Sequence, residues 1–589
     1  MIDPKRRAML FLLSGMFALS ALSESAGAAA TALPWTTYEA EQASTTGSVL
    51  GPDYTGHTPA REASGRKCVR LGKTGEYLEF PAQSGAQGIV VRYSIPDSAD
   101  GRGVDATLGL YINGQLRKKL PVTSRYSHLY GEYPFTNTPS SGSPRNFWDE
   151  VRLMPGAIHA GDVIRLQKGA DDAATEYLID LVDLESVPAP LAKSGNSLSV
   201  TDFGATADDE SDDHAAFLAA INAAKEQKKS VWIPAGRFVV KGAIKVSDVA
   251  IHGAGMWHST LVGVDDYTPQ NRVALYGDGS NVTLSDFAII GKLNYRNDEE
   301  PNDGIGESFG TGSSIRNLWV EHTKTGAWIV NSDGLVVEGC RFRDTIADGI
   351  NLCVGMRNTI VRDCTARGTG DDCFAMWPAV YRKSTLTHGS NRFVHCMAQV
   401  PFLAQAFAIY GGEGNAVEDC EAIDIPYGAG LFASTTFPTE FGFRGTTTYS
   451  RVHITRCGYD DGAIGTVANL IDLAGLRFND IEVIDSAKDG IKFTSMKDHA
   501  LRDAAFDRIR IVNPGMSGAG HGIVEAPGAV GSATLSNVSV LNPKTAGWLD
   551  NAPGFELVRG AGNSGIEADK QPGANRSTAR AGSTAGVDH

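Results

Sequence analysis

Short runs in which apolar and polar residues alternate with a period of two dominate the chain. Val90-Val91-Arg92-Tyr93-Ser94, Thr107-Leu108-Gly109-Leu110-Tyr111-Ile112 and Tyr177-Leu178-Ile179-Asp180-Leu181-Val182 are of this kind, with Gly and Ser turns between them. They predict antiparallel strands, and their number between residues 36 and 187 predicts a β-sandwich. Pro188-Ala189-Pro190 through Asn196 reads as a linker over 188–198. From Asp212 to about Lys228 the period changes: Ala216, Leu218, Ala219 and Ile221 to Ala223 give one apolar side behind an acidic start, which predicts a helix.

Beyond that helix, from about Val246 to Trp548, the pattern repeats loosely every 22 to 37 residues. One recurring unit is a strand ending in cysteine: Val337-Glu338-Gly339-Cys340, Val361-Arg362-Asp363-Cys364, Phe393-Val394-His395-Cys396, Val417-Glu418-Asp419-Cys420 and Ile454-Thr455-Arg456-Cys457. Another is a Gly turn into a short apolar strand, at Asp303-Gly304-Ile305, Asp348-Gly349-Ile350, Asp461-Gly462-Ala463, Asp489-Gly490-Ile491 and His521-Gly522-Ile523. Such repeats predict a right-handed parallel β-helix over 199–558, with the helix capping its open end. Equivalent cysteines then stack as a ladder of small interior side chains rather than forming disulfides. The expected fold class is all-β, a sandwich followed by a β-helix. Residues 559–589, rich in Gly, Ala, Ser and charge, predict a disordered tail.

Composition narrows the function. Lys5-Arg6-Arg7, the apolar run Met9 to Leu22 and Ala26-Gly27-Ala28 predict a secretory signal over 1–28. A retained anchor is the alternative, but the run is short for a span. The chain is therefore expected to be secreted, with no membrane contact in its mature form, and to act as a monomer. A formal charge of −15 argues against a nucleic-acid partner and disfavours strongly acidic substrates.

Asp348 lies 23 residues before Asp371 and 24 before Asp372, about one coil. Coils stack at roughly 4.8 Å, so the three carboxylates fall on one face. The flanking Gly368 and Gly370 permit a bend that turns both adjacent aspartates to one side. Crowded carboxylates cannot all ionise easily, so one holds a proton to donate while others hold a water, the set that glycosidic hydrolysis requires. Taken singly, Asp348 fits a structural Asp-Gly turn, and Asp371-Asp372 a solvated turn or a calcium site.

This pattern resembles the β-helical glycoside hydrolases, most closely the bacterial α-1,3-glucanases (mutanases) and mycodextranases of family 87. The resemblance covers residue 36 to about 550, since that family also joins a β-sandwich of carbohydrate-binding type to the β-helix. It implies a secreted enzyme that inverts configuration while cleaving α-1,3- or mixed α-1,3/α-1,4-glucan. Asp371 is then the acid, with Asp348 and Asp372 on the water, and no cofactor serves catalysis. An inverting pair is expected to stand about 6.5–9.5 Å apart. Trp377, Tyr381, Tyr410 and Phe432 are candidates to stack on sugar rings, although each also fits core packing. The resemblance also makes Glu39, Glu41 and Asp180 candidate ligands of a structural calcium ion in the sandwich. Tyr130, Tyr133 and Trp148 are weaker candidates for a sugar-binding face, and the sandwich is expected to tether the enzyme to insoluble substrate.

Three rivals stay open. A polygalacturonase-like pectin hydrolase is disfavoured because the matching positions hold Tyr410-Gly411-Gly412-Glu413-Gly414-Asn415 and Gly490-Ile491-Lys492, without the histidine that grips a uronic acid in that clan. A polysaccharide lyase needs a basic proton abstractor, and Gly368 to Cys373 contains none. A non-catalytic wall-binding protein has no need of the aspartates.

Overall fold

The computed structural model describes residues 33–266 and 268–569, so the expected signal lies outside it. Trp35–Glu39, Ser48–Leu50, Cys68–Leu71, Gly88–Ser94, Asp149–Leu153 and Tyr177–Glu185 form one antiparallel sheet; Ser44–Thr45, Tyr77–Pro81, Asp105–Ile112, Gln115–Thr123 and Val163–Gln167 form the other. Leu78, Leu110, Ile164, Val91, Ile179 and Val182 meet between the two sheets. Tyr177–Glu185 is buried at every position. A bulge between Ile179 and Leu181 shifts its phase, so Asp180, Asp183 and Glu185 lie away from the sandwich core and are buried all the same.

What buries them is the β-helix. It is built on a 22-stranded and a 13-stranded sheet, with parallel pairing from coil to coil. The residue before each ladder cysteine is left-handed: Gly339, Asp363, His395, Asp419 and Arg456 have φ between 51° and 64°. A corner of that hand turns the strand inward, favours Gly and Asp, and explains the recurring motif. Cys340, Cys364, Cys396, Cys420 and Cys457 follow those corners into the core, and all eight cysteines of the chain are buried and free. Aromatic rings stack coil upon coil in the same interior: Tyr449 on Phe478 at 4.6 Å and Phe478 on Phe506 at 4.5 Å. The helix His214–Gln227 closes the first coil with Phe217, Ala220, Ile221 and Ala224.

The boundaries differ from expectation in two places. The linker is tied down, since Leu191 N–H donates to Ala254 O and Ser197–Ser199 pairs with Ser230–Ile233. The ladder also continues past 559 to a last strand at Ala568–Asp569, so a tail starting at 559 begins too early.

The two parts are joined by a buried polar seam. Arg341 makes two 2.7 Å hydrogen bonds to Glu185, Arg367 bonds Asp183 at 2.7 Å and also Glu150, and His322 meets Asp149 at 2.8 Å. From the sandwich, Arg66 donates to Asp424 O and Arg456 O, and Arg61 to Pro426 O. Buried ions need such partners, because an unpaired one costs several kcal/mol. A loosely tethered module has no use for this seam, so the sandwich is a rigid neighbour of the β-helix.

Candidate active site

Backbone hydrogen bonds fix the register of the acidic positions. Gly326 N–H donates to Asp348 O, Gly349 N–H to Asp372 O and Cys373 N–H to Gln405 O. Thr325, Asp348, Asp372 and Gln405 therefore occupy one ladder position on successive coils, with Asp348 directly beside Asp372. Asp371 sits one residue earlier, in the turn. Gly368, at φ +70°, makes that turn, and Gly370 admits the close approach of the previous coil: a Cβ there would lie 2.0 Å from Ile346 O. Among the described residues, one oxygen from each of Asp348, Asp371 and Asp372 falls within 4.8 Å of the other two.

Their surroundings differ. Asp348 is buried and accepts from Asn351 Nδ2 at 2.8 Å. Burial first, then the charges of Asp371 and Asp372, push its carboxyl well above the ordinary range. Asp372 is buried too; it accepts from Gln405 N–H at 3.0 Å and from Tyr410 Oη at 2.7 Å. Burial and Asp371 push it up to about 8. Asp371 is the open member, its side chain 26% exposed, and it pairs with Arg296 at 2.6 Å. The cluster therefore retains protons at neutral pH, and they belong to the coupled set rather than to one residue.

The outer face of the 13-stranded sheet runs past this cluster. Its aligned positions read Tyr276, Gly306, Trp328, Asn351, Ala375, Ala408 and Phe432 along the helix. Ala375 and Ala408 are buried in a cluster with Tyr410 and Phe432, against which Trp377 and Phe437 pack. Trp377 packs against Trp328, Tyr381 and Phe437, while Tyr381 is 55% exposed and hydrogen-bonds Trp328 Nε1. Two of the four aromatic expectations shift. Tyr410 and Phe432 are buried, and Tyr410 spends its hydroxyl on Asp372, so it supports the cluster instead of offering a ring face.

Sequence reasoning missed Arg296, Gln405 and Trp328. Arg296 stands in an irregular excursion 75 residues before Asp371, where no periodicity points to it. Of the residues expected to hold calcium, Glu39 and Glu41 each keep one buried carboxylate oxygen without a hydrogen-bond partner. Asp180 is bonded by the Arg92 guanidinium and by Ser64 N–H, and Glu39 accepts from Ser64 Oγ, its carboxyl pushed up to about 8 by burial and Asp180. Glu39, Glu41 and Asp180 are not among the described residues that converge as a ligand set; besides the three aspartates, that set is Asp149, His322 and Asp344 at the seam. Of the weaker sugar-face candidates, Trp148 and Tyr130 are buried, while Tyr133 lies against Arg296.

Among the described residues no helix is long and apolar enough to cross a membrane. The α-1,3-glucanase catalytic domain D1 matches residues 32–187 and domain D2 matches residues 212–564. Among solved structures, the Agl-KA catalytic domain is 28% identical with a TM-score of 0.81, over 90% of this chain and 98% of that one. The catalytic unit of a thermostable GH87 α-1,3-glucanase from Streptomyces thermodiastaticus is 31% identical with a TM-score of 0.81, over 92% and 99%. A GH87 α-1,3-glucanase catalytic domain in complex with nigerose is 26% identical with a TM-score of 0.80, over 91% and 99%. Related complexes carry Asp-to-Ala substitutions at three positions, the second and third lying 23 and 24 residues after the first. A 107-residue segment is 39% identical to mannuronan C5-epimerase AlgE3 of Azotobacter vinelandii, spanning 16% of this chain and only 6% of that protein. With both halves matched, the second over more than half of its length, the chain belongs to the α-1,3-glucanase family of glycoside hydrolases.

Proposed function

We propose that this chain hydrolyses α-1,3-linked glucan at Asp348, Asp371 and Asp372. One observation carries the reading: the three carboxylates converge with the 23- and 24-residue spacing of the substituted aspartates in the relatives. Asp371, nearest solvent, faces the glycosidic oxygen and delivers the proton drawn from the shared set. Asp348 and Asp372, with oxygens within 4.8 Å, are close enough to share one water, and the one that has passed its proton to Asp371 takes the proton of that water. The C–O bond to the leaving sugar breaks, the water oxygen replaces it, and the cluster ends with as many protons as it began. No cofactor enters this reaction. Inversion rests on the family resemblance. Oxygens of the three carboxyls lie within 4.8 Å of one another, tighter than the roughly 6.5–9.5 Å expected of an inverting pair, so product stereochemistry decides it. Residues 1–28 are read as an export signal, consistent with a polymeric substrate outside the cell.

Reducing-sugar release is expected from α-1,3-glucan above α-1,4-, α-1,6- and mixed glucans and polygalacturonate. Proton NMR of early product is expected to show the β-anomer first. First appearance of the α-anomer overturns inversion, and preference for polygalacturonate overturns the substrate.

A further inference from the structure

We propose that the sandwich completes the active site: its loop 129–137, through Tyr133 and Asp298, holds Arg296 where it clamps Asp371, making Arg296 and Tyr133 positioning residues for hydrolysis. This rests on the reading of the three aspartates given above.

Arg296 is the cation that touches the catalytic turn. Its Nη2 bonds Asp371 Oδ2 at 2.6 Å and its Nη1 donates to Gly370 O at 3.1 Å, so one guanidinium fixes both side chain and backbone of the bend. The segment that carries it, between Thr283–Ile290 and Ile305–Thr311, contains no strand, so no ladder positions it. Its anchors come from two sides. From the β-helix, Lys324 Nζ donates to Asp298 O and Glu300 O. From the sandwich, the Tyr133 ring lies 4.9 Å from the Arg296 guanidinium carbon, and the Tyr133 hydroxyl bonds Asp298, which also takes Arg296 Nε at 3.0 Å. Behind the loop, Leu129 and Phe135 pack with Leu293, Ile346 and Phe402. Ile346 and Phe402 are the groups that press on Gly370. Asn137 Nδ2 donates to Asn294 O at 2.7 Å. The loop thus grips the excursion on both sides of Arg296 and backs the turn that Arg296 holds.

The charged and titratable groups around Asp371 are Arg296, Asp298 and Lys324, with Asp348, Asp372, Tyr133 and Tyr410. Within that set Arg296 opposes the upward push on Asp348 and Asp372, so withdrawing it drives both further up.

The full-length enzyme is compared with Arg296→Met, Arg296→Lys and Tyr133→Phe. The readings are kcat and KM on short α-1,3-gluco-oligosaccharides, the pH–rate profile, and an infrared titration of the carboxyl C=O band, which needs no turnover. Arg296→Met is expected to lower kcat by about 100-fold, the scale of a misplaced reacting group, with KM little changed and the ionisations moved to higher pH. Arg296→Lys is expected to recover part of the loss. Tyr133→Phe keeps the ring and is expected to shift kcat and the profile the same way, by less. Wild-type kcat and profile in Tyr133→Phe and Arg296→Lys overturn the proposal, and so does a fall in kcat with an unmoved profile, which marks a purely structural role. If the parent turns over no glucan while the infrared titration still moves in Tyr133→Phe, the substrate reading fails and the positioning role stands.

Discussion

Asp344 and Asp348 are four residues apart on one coil, and each is buried in a trio of titratable side chains. Asp344 joins Asp149 and His322 at the seam; Asp348 joins Asp371 and Asp372 at the candidate active site. At the seam the positive charge is built in. Burial disfavours the His322 imidazolium, but Asp149 at 2.8 Å outweighs it and pushes the ring up to about 9. Arg343 and Arg367 stand on the neighbouring coils against Glu150. At the other trio the Arg296 guanidinium pairs with Asp371, which is the most exposed member of the three. Crowded acids are common to both places. What separates the two is exposure: Asp149, His322 and Asp344 are all buried, whereas Asp371 opens its trio to solvent.

Asp371→Asn attacks the open trio and should have the largest effect. The amide keeps the shape but moves no proton, so turnover on α-1,3-glucan is expected to fall by about 100- to 10,000-fold with an unchanged melting temperature. Near-parental rates in a reducing-sugar assay remove Asp371 from the mechanism. Arg367→Met attacks the closed side. It leaves Glu150 and Asp183 buried without their shared partner, a loss of roughly 3–5 kcal/mol, measurable by denaturant unfolding. By the same reasoning, deleting residues 1–190 should yield an insoluble β-helix rather than a soluble-substrate enzyme. The seam gives the sandwich a structural role alongside the tethering expected of it.

The smallest effect sharpens the contrast through pH. His322 has a folded-state pKa above its unfolded value, so its contribution is complete below about pH 6.5 and fades as pH rises towards about 9. A shift of that size corresponds to at most about 3 kcal/mol. Asp344, raised well above the usual range by burial and by Glu150 and Asp149, also favours the folded state at the acid end. The melting temperature is expected to drop between pH 6.5 and 9, and His322→Gln to flatten that drop. An equally steep drop in the variant places the titrating group elsewhere.

How much of this could be read from the chain follows from what repeats. The cysteine motif marks five of the left-handed corners, and the coil interval brings Asp348, Asp371 and Asp372 together from the sequence alone. The excursion that holds Arg296 has no period, and Gln405 lies 33 residues past Asp372 because the intervening coil carries the loop with Tyr381. In Tyr177–Glu185 the alternation of apolar and acidic residues is the same whether the acids meet water or arginine, so nothing in the sequence marks the seam.

The interior cysteines carry a consequence for how such a protein can be made. No cystine staples the coils, so the native fold asks nothing of an oxidising compartment and tolerates reductant throughout. The hazard comes with unfolding: seven thiols between Cys340 and Cys457 then meet air together, and scrambled cross-links trap the chain away from its native stack. The lifetime of this enzyme under heat or denaturant is thus governed by redox conditions, although no redox chemistry takes part in its fold.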